Sequence, residues 1–381
     1  MILETDRHWM HRALELARQG LWTTRPNPCV GCVIVKDQQL LGEGFHWRQG
    51  EPHAEVHALR QAGEQARGAT CYVTLEPCAH FGRTPPCADA LVAAGIQRVV
   101  VACTDRNPLV ANQGLTKLRA AGIDVVEGVL RAKAQALNEG FLKRMQTGLP
   151  WVRIKMAASL DGKTALANGA SKWITGAPAR ADVQAWRARS CAVVTGIGTL
   201  LADNPRLNVR YQDWAHQAVP EVREADFIQP LRVVLDTHAR ATPNLALFQS
   251  PTPIVLLSAK AYSHSFPEHV QCHVLPKHAD KLCLVAALRF LGELQCNQIL
   301  IEAGSTLAGA LIDQGLWDEL ILYQAPKILG HQARSLFTLP DITSMQAVQS
   351  LVCTDRQTIG DDQRFLFRQS FTSHAEKEVT A

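Results

Sequence analysis

A chain of 381 residues, 47% hydrophobic and 19% charged, is long enough for two globular domains that each bury a core. A net charge of +4 excludes the strong basic footprint of a nucleic-acid binder, and no apolar run reaches the roughly 18 residues of a membrane span. The start, Met-Ile-Leu-Glu-Thr-Asp-Arg-His, lacks a signal-peptide pattern, so the expectation is a cytoplasmic protein whose eleven cysteines stay reduced.

Taken in order, residues 6–19 place Trp9, Met10, Ala13, Leu14, Leu16 and Ala17 at helical spacing and stop at Gly20. Arg25-Pro-Asn-Pro28 reads as a turn, and residues 29–35 and 40–45 as short strands. Residues 53–66 predict a helix behind Pro52. Residues 69–75 predict a strand that delivers Glu76-Pro-Cys78, and residues 87–94 start the next helix. Strands at 99–102 and 124–126 flank a helix at 114–121. This alternation predicts a mixed, mainly parallel sheet covered by helices.

Residues 140–150 read as a linker dividing a domain of residues 1–147 from one of residues 148–381. The second half repeats the α/β alternation, with strands at 191–195, 231–235, 254–257, 298–302 and 319–323. Helices are expected at 178–189, 282–295 and 306–314. Residues 211–230 read as an irregular loop, and the tail beyond about 370 as frayed.

The chemistry concentrates in His53-Ala-Glu55, answered by Pro77-Cys78 and Cys87. One imidazole and two thiolates, His53, Cys78 and Cys87, give a tetrahedral zinc ion three protein ligands and a vacant corner, the pattern of a catalytic site. Such an ion activates water near neutral pH. Glu55, two residues from the first ligand, is placed to move protons without binding metal; His-x-Glu with Pro-Cys and a second Cys is the zinc-deaminase signature. A structural zinc clip would need a fourth protein ligand and would leave Glu55 without a role. Both ligand clusters fall at predicted helix starts, where the helix dipole favours thiolate.

Two other patterns are decoys. His57 follows His53 at helical spacing, but Ala54 stands where a metalloprotease has its glutamate. Cys29-Val-Gly-Cys32 has zinc-knuckle spacing, yet in a strand the two side chains point to opposite faces. Many deaminases use Cys-x-x-Cys, whereas here residues 79–86 separate the cysteines. That insert carries His80 and Arg83, which are suited to a phosphate.

At these residues the sequence resembles the bifunctional riboflavin-biosynthesis deaminase/reductases. The resemblance rests on Arg25-Pro-Asn-Pro-Cys-Val-Gly31, His53-Ala-Glu55 and Glu76-Pro-Cys-Ala-His-Phe-Gly-Arg-Thr-Pro-Pro-Cys87. It continues through Lys155-Met-Ala-Ala-Ser-Leu-Asp-Gly-Lys163, Ser171-Lys-Trp-Ile-Thr175, Leu201-Ala-Asp-Asn-Pro205 and Glu302-Ala-Gly-Ser-Thr-Leu-Ala-Gly309. It implies an α/β chain: a cytidine-deaminase-like αβα domain followed by a dihydrofolate-reductase-like α/β domain. The implied reactions are zinc-dependent removal of the 2-amino group of 2,5-diamino-6-ribosylamino-4(3H)-pyrimidinone 5′-phosphate, then NADPH-dependent reduction of the ribosyl group to ribityl. The implied partner is therefore a small phosphorylated pyrimidine, with no nucleic acid and no membrane, in a homo-oligomer joined through the second domain. The alternative is a nucleic-acid or nucleotide deaminase with a non-catalytic second domain; the mild charge and the long insert speak against it.

The resemblance assigns Asn27, His46, His80 and Arg83 to the deaminase substrate. It assigns NADPH contacts to Ala157, Trp173, Thr199, Asp203, Thr237 and the segment Gly304, Ser305, Thr306, Leu307, Ala308, Gly309 and Ala310. Reductase-substrate contacts fall to Ser171, Arg187, Leu207, Arg210 and Glu302, with Lys155 and Glu302 the candidates for polarising or protonating the opened sugar. From the residues alone, other readings stay open: His80 as a solvated loop residue, Lys155 as a surface lysine, Trp173 as core. Thr195-Gly-Ile-Gly198 is equally a tight turn or a nucleotide loop. Glu302-Ala-Gly-Ser-Thr-Leu307 is either a phosphate-binding helix start or a plainly capped helix.

Overall fold

The computed structural model describes residues 2–81, 85–107, 111–214 and 222–370. Its contacts divide the chain into two compact units. One is Met1–Pro150 with Glu221–Ile228 and Gly292–Asn297; the other is Trp151–Pro220 with Gln229–Leu291 and Gln298–Ala381.

The first unit begins with α1 (Glu4–Gln19), β1 (Gly31–Lys36), β2 (Gln39–Phe45) and α2 (Ala54–Ala62). Next come β3 (Thr70–Val73), α3 (Cys87–Ala93), β4 (Arg98–Val101), α4 (Gln113–Ala120) and β5 (Asp124–Glu127), and the unit closes with α5 (Arg131–Leu137) and α6 (Glu139–Thr147). Its sheet runs β2-β1-β3-β4-β5, antiparallel on either side of β1 and parallel from β3 to β5. The strand period of two makes both faces apolar. Cys32 and Ile34 of β1 join Cys71, Val73, Val99 and Val101 under α2, α3 and α4. Val33 and Val35 join Tyr72 and Val100 under α1, with Leu142 of α6. α1 crosses β1 so closely that a Cβ on Gly31 would meet the Ala13 carbonyl oxygen at 2.0 Å.

The linker expected at 140–150 is instead largely a helix, α6, which stops at Gly148 in the left-handed region (φ 73°). Its apolar residues anchor it to the core. The Cys29/Cys32 pair is structural: both are buried, Cys32 Sγ sits 3.4 Å from Cys71 Sγ, and the Cys29 N–H donates to Asn138 Oδ1 at 2.8 Å.

One buried ion pair ties α1 to β4. Asp6, fully buried, accepts two hydrogen bonds from Arg98 (2.7 and 3.0 Å) and one from the Tyr72 hydroxyl (3.2 Å). Burial pushes the Asp6 carboxyl up, but the Arg98 hydrogen bonds and charge, the Leu3 N–H and the Tyr72 hydroxyl together outweigh it and hold it below its usual value. A depressed folded-state value means the contribution to stability is present above the unfolded value of 3.8 and is lost as pH falls through the lower folded one. Arg98→Met is expected to destabilise the protein by about 3 kcal/mol at neutral pH, because it strands a buried carboxylate. Urea unfolding measures this, and the deficit should shrink in acid.

The second unit opens with β6 (Trp151–Ser159), β7 (Lys163–Ala165), α7 (Ala177–Arg189), β8 (Ala192–Gly196), α8 (Ile197–Asp203) and α9 (Tyr211–Trp214). β9 (Leu231–Leu235), β10 (Ile254–Ser258), β11 (Val270–Val274), β12 (Lys277–His278), β13 (Lys281–Leu282) and α10 (Leu284–Glu293) come next. It ends with β14 (Gln298–Glu302), α11 (Ser305–Asp313), β15 (Glu319–Ala325), β16 (Arg334–Ser335), β17 (Leu351–Ile359) and β18 (Asp362–Gln369). Nine strands form one sheet, ordered β11-β10-β9-β8-β14-β6-β15-β18-β17. It is parallel from β11 to β15, while β15–β18 and β18–β17 are antiparallel. The β17–β18 hairpin has no counterpart in the sequence expectations. The expected loop at 211–230 contains α9 and a 3₁₀ turn at Glu224–Asp226; residues 215–221 and the tail beyond 370 lie outside the described residues.

Candidate active sites

In the first unit, His53 is the N-cap of α2, Glu55 lies in that helix's first turn, and Cys87 is the first residue of α3. Cys78 comes from the loop after β3. It is fixed by the Cys87 N–H at 3.3 Å from its Sγ and by the Ala88 N–H at 3.1 Å from its carbonyl oxygen. His53 Nδ1 stands 3.2 Å from Cys87 Sγ and 3.6 Å from Cys78 Sγ. Among the described residues, these three form the one group of three or more His, Cys, Asp or Glu ligand atoms converging within 4.8 Å.

The donor chemistry fits zinc, since imidazole and thiolate are its ordinary ligands and only three are supplied. The Cys87 hydrogen bond and nearby His53 lower the Cys78 thiol to about 4, whereas Cys87 is pushed up by Cys78, by burial and by Glu55. Both thiols ionise together only if a cation sits between them. Glu55 is 3% exposed, burial raises its carboxyl, and its Oε2 is buried without a hydrogen-bond partner.

Glu55 lines a cavity of about 330 Å³ with Asn27, His46, Glu51, His53, Glu76, Cys78, His80, Asp105, Asn107, Phe141 and Met145. His46 is buried, and burial lowers its pKa. Its Nδ1–H donates to the Pro52 carbonyl at 3.2 Å, so its Nε2 accepts from Asn27 Nδ2 at 2.9 Å. His80 is exposed at the cavity's edge, while Arg83 lies outside the described residues. His57 lies against Gly44 of β2, as expected of a helix-face residue.

Glu76, beside Pro77-Cys78 in the motif, has no role that the sequence assigns. The structure gives it one: its carboxylate accepts the backbone N–H groups of Asp105 (3.2 Å), Asn112 (3.1 Å) and Gly114 (3.1 Å). These bonds set the cavity wall that carries Asp105 and Asn107. A Cβ on Gly114 would meet the Pro77 carbonyl oxygen at 2.0 Å, directly before the candidate ligand Cys78. Gly114→Ala should therefore lower stability by about 2 kcal/mol and reduce zinc retained per chain, measured by melting and metal analysis.

In the second unit, Lys155 of β6 pairs in register with Glu302 at the end of β14. Arg187 of α7 grips Glu302 with two hydrogen bonds, 2.5 and 2.9 Å, and donates a third to the Asn208 carbonyl. Burial pushes Glu302 up, but Arg187 and Lys155 hold it below the usual value. Burial pulls Lys155 down despite Glu302. The lysine is half-buried, not a surface residue.

The Gly304 N–H donates to Thr199 Oγ1 at 3.2 Å, joining α8 to the start of α11. Ser305 Oγ accepts from Thr338, while Ala308 and Gly309 are buried, Gly309 against the Thr338 backbone. Thr306 is exposed; Leu307 packs near Gly196, and Ala310 is half-buried. Gly196 ends β8 and α8 begins at once, so Thr195-Gly-Ile-Gly198 is a direct strand-to-helix turn.

Leu207 is buried with φ 57°. The Arg210 N–H donates to Gln184, and its Nε to Asp213. Thr237, just past β9, accepts from the Leu282 N–H, and Asp203 ends α8 at the surface. Ala157 packs beside Tyr323 and Trp186. Ser171 and Trp173 lie on the loop before α7. Trp173 is 65% exposed with φ 68°, under the Arg180 guanidinium at 4.1 Å, so it is not core.

Two sequence families match. Residues 150–363 match the RibD C-terminal domain, and residues 3–103 the cytidine and deoxycytidylate deaminase zinc-binding region. The chain is 50% identical to riboflavin biosynthesis protein RibD of Escherichia coli (strain K12), over 94% of this chain and 97% of that one. It is 47% identical to RibD of Haemophilus influenzae, over 93% and 95%. The solved structure of Acinetobacter baumannii RibD (form 2) superposes with a TM-score of 0.87 at 46% identity, covering 96% of this chain and 99% of that one. A Thermotoga maritima diaminohydroxyphosphoribosylaminopyrimidine deaminase/5-amino-6-(5-phosphoribosylamino)uracil reductase gives 0.83 at 33% identity, covering 96% and 98%. With both regions matched in order and half the residues identical along nearly the full length, the chain belongs to the RibD family of riboflavin biosynthesis, zinc-dependent deaminases joined to NADPH-dependent reductases.

Proposed function

We propose that residues 1–147 deaminate and residues 148–381 reduce, with the substrate roles divided as follows. The deaminase reading is carried by one observation: three zinc-type donors converge, and two of them, His53 and Cys78, line one cavity with Glu55, whose Oε2 is buried without a hydrogen-bond partner. Zinc, held by His53, Cys78 and Cys87, supplies the Lewis acidity that makes water nucleophilic near neutral pH. Glu55 carries one water proton to the ring nitrogen and the second, from the hydroxyl left on the carbon, to the departing amine, so amine plus water yield carbonyl plus ammonia. The neutral His46 fixes the Asn27 amide. That leaves Asn27 Oδ1 as an acceptor for a ring N–H or amine of the 2,5-diamino-6-ribosylamino-4(3H)-pyrimidinone 5′-phosphate. His80 and Arg83 serve its phosphate.

In the reductase, NADPH supplies the reducing equivalent. Thr199, Asp203, Thr237, Ala157, Trp173 and residues 304–310 hold the cofactor, and Ser171, Leu207 and Arg210 hold the substrate. Lys155 protonates the opened sugar, while Glu302 and Arg187 set its charge. The protein works in the cytoplasm on a small molecule, as a homo-oligomer joined through the second unit. No described helix is long and apolar enough to cross a membrane, and the outer strand β17 exposes Leu351 and Val352 at the sheet edge.

Incubation with the diamino substrate tests the division. Ammonia is expected with or without NADPH, and the ribityl product only with it. NADPH oxidation that never occurs would remove the reductase half of the reading.

A further inference from the structure

We propose that Tyr323, pinned by Asp182, is a positioning residue for Lys155 in the reductase. The inference rests on the reading of Lys155 as the proton-handling group of that site.

The register puts the parts on one face. Lys155 pairs with Glu302 on β14 and with Ile321 on β15, and Tyr323 pairs with Ala157. Register-paired residues of parallel strands point to the same side. Lys155, Ala157, Glu302, Ile321 and Tyr323 therefore share the face covered by Val183 and Trp186 of α7. The Lys155 ammonium stands 5.8 Å from the Tyr323 ring centroid, within cation–π reach. Lys155 thus has an aromatic face on one flank and the Glu302 carboxylate on the other.

The far end of the ring is anchored more firmly than packing requires. Tyr323 is fully buried, and its hydroxyl donates to Asp182 Oδ2 at 2.5 Å. Arg364 of β18 donates to the same oxygen at 2.8 Å and to Asp355 of β17 at 3.1 Å. A phenylalanine would fill the same volume without this anchor. Tyrosine fixes the ring's height and tilt against the lysine, because its hydroxyl is held by a carboxylate that is itself neutralised by an arginine.

The charged groups around Lys155 are Glu302 from β14, Arg187 from α7 on the far side of Glu302, and Arg210, which acts on Glu302. Asp182 and Arg364 meet the tyrosine hydroxyl. Arg187 opposes the ammonium; Glu302 and the tyrosine ring favour it. Removing the ring should make Lys155 lose its proton at lower pH.

The test is steady-state NADPH oxidation by the full-length zinc-loaded protein with pre-deaminated substrate, across pH, with ammonia release as the folding control. Tyr323→Phe keeps the ring and loses the anchor: kcat should fall roughly three- to tenfold with the KM for NADPH unchanged. Tyr323→Leu should lose roughly tenfold or more and move the alkaline limb of kcat down by about half to one pH unit. If Tyr323→Leu fails to fold, Tyr323→Phe decides. Wild-type kcat and pH profile in the Tyr323 variants, or a raised KM with an unmoved kcat, overturns the inference. Lys155→Met separates it from the underlying reading: if that variant still turns over normally, the role of Lys155 fails first, and the inference with it.

Discussion

Glu55→Gln is expected to cut ammonia release by at least about a thousandfold while zinc stays bound and NADPH oxidation with pre-deaminated substrate continues. Gln keeps the volume of a side chain that is 3% exposed and packed at the start of α2, so the helix and its cap residue His53 stay in place. What disappears is the group able to accept a proton. Its Oε2 has no hydrogen-bond partner within the protein, although burying a carboxylate oxygen unpaired is costly. A fold retains such an atom where a ligand or a reaction uses it. The three metal donors lie on separate side chains, so metal analysis of the variant should match wild type. Wild-type ammonia release from Glu55→Gln would remove this residue from the reaction.

Glu302→Gln is expected to lower reductase turnover by roughly a hundredfold or more and to leave ammonia release unchanged. Glu302 is the counter-charge for two partly buried cations, Arg187 at 2.5 and 2.9 Å and Lys155 across the strand pair. Breaking a buried pair from one side costs about 3–5 kcal/mol, because the partner's charge is left uncompensated. Here the cheapest relief is for Lys155 to lose its proton. Burial already draws the lysine down, Glu302 opposes that, and Arg187 adds to it. Without the carboxylate, two of these three influences remain and both favour neutral lysine. The remaining turnover should therefore lose its alkaline limb at lower pH than wild type. A pH–rate profile of NADPH oxidation reads this; an unchanged profile at wild-type rate would contradict the assignment of both residues.

The convergence of His53, Cys78 and Cys87 was legible in the sequence because it is local. His53 and Glu55 share a helix start, and Cys78 and Cys87 are close in the chain, so spacing alone brings out this candidate cluster with Glu55 beside it. The walls of the cavity were not legible. Phe141 and Met145 line it from α6, and Leu142 buries into the core, a helical spacing of apolar residues that Gly140, Gly148 and Pro150 disguised as a linker. Glu76 was visible beside Cys78, yet its three backbone partners come from residues 105–114, and no motif encodes that contact.

In the second unit the strands of the parallel core read as apolar runs, as strands buried on both faces do. β17 was missed because it is exposed along most of its length and carries no apolar face to betray its period. The Asp182–Tyr323–Arg364 network joins residues 141 and 182 positions apart, so only the folded sheet reveals it.

The central claim, that a metal site in the first unit and a separate reductase site in the second work in one chain, is tested most directly by stripping the metal. Chelated full-length protein should release no ammonia from the diamino substrate, recover on adding zinc, and throughout oxidise NADPH at the wild-type rate with pre-deaminated substrate. Ammonia release that survives complete removal of the metal would contradict the account.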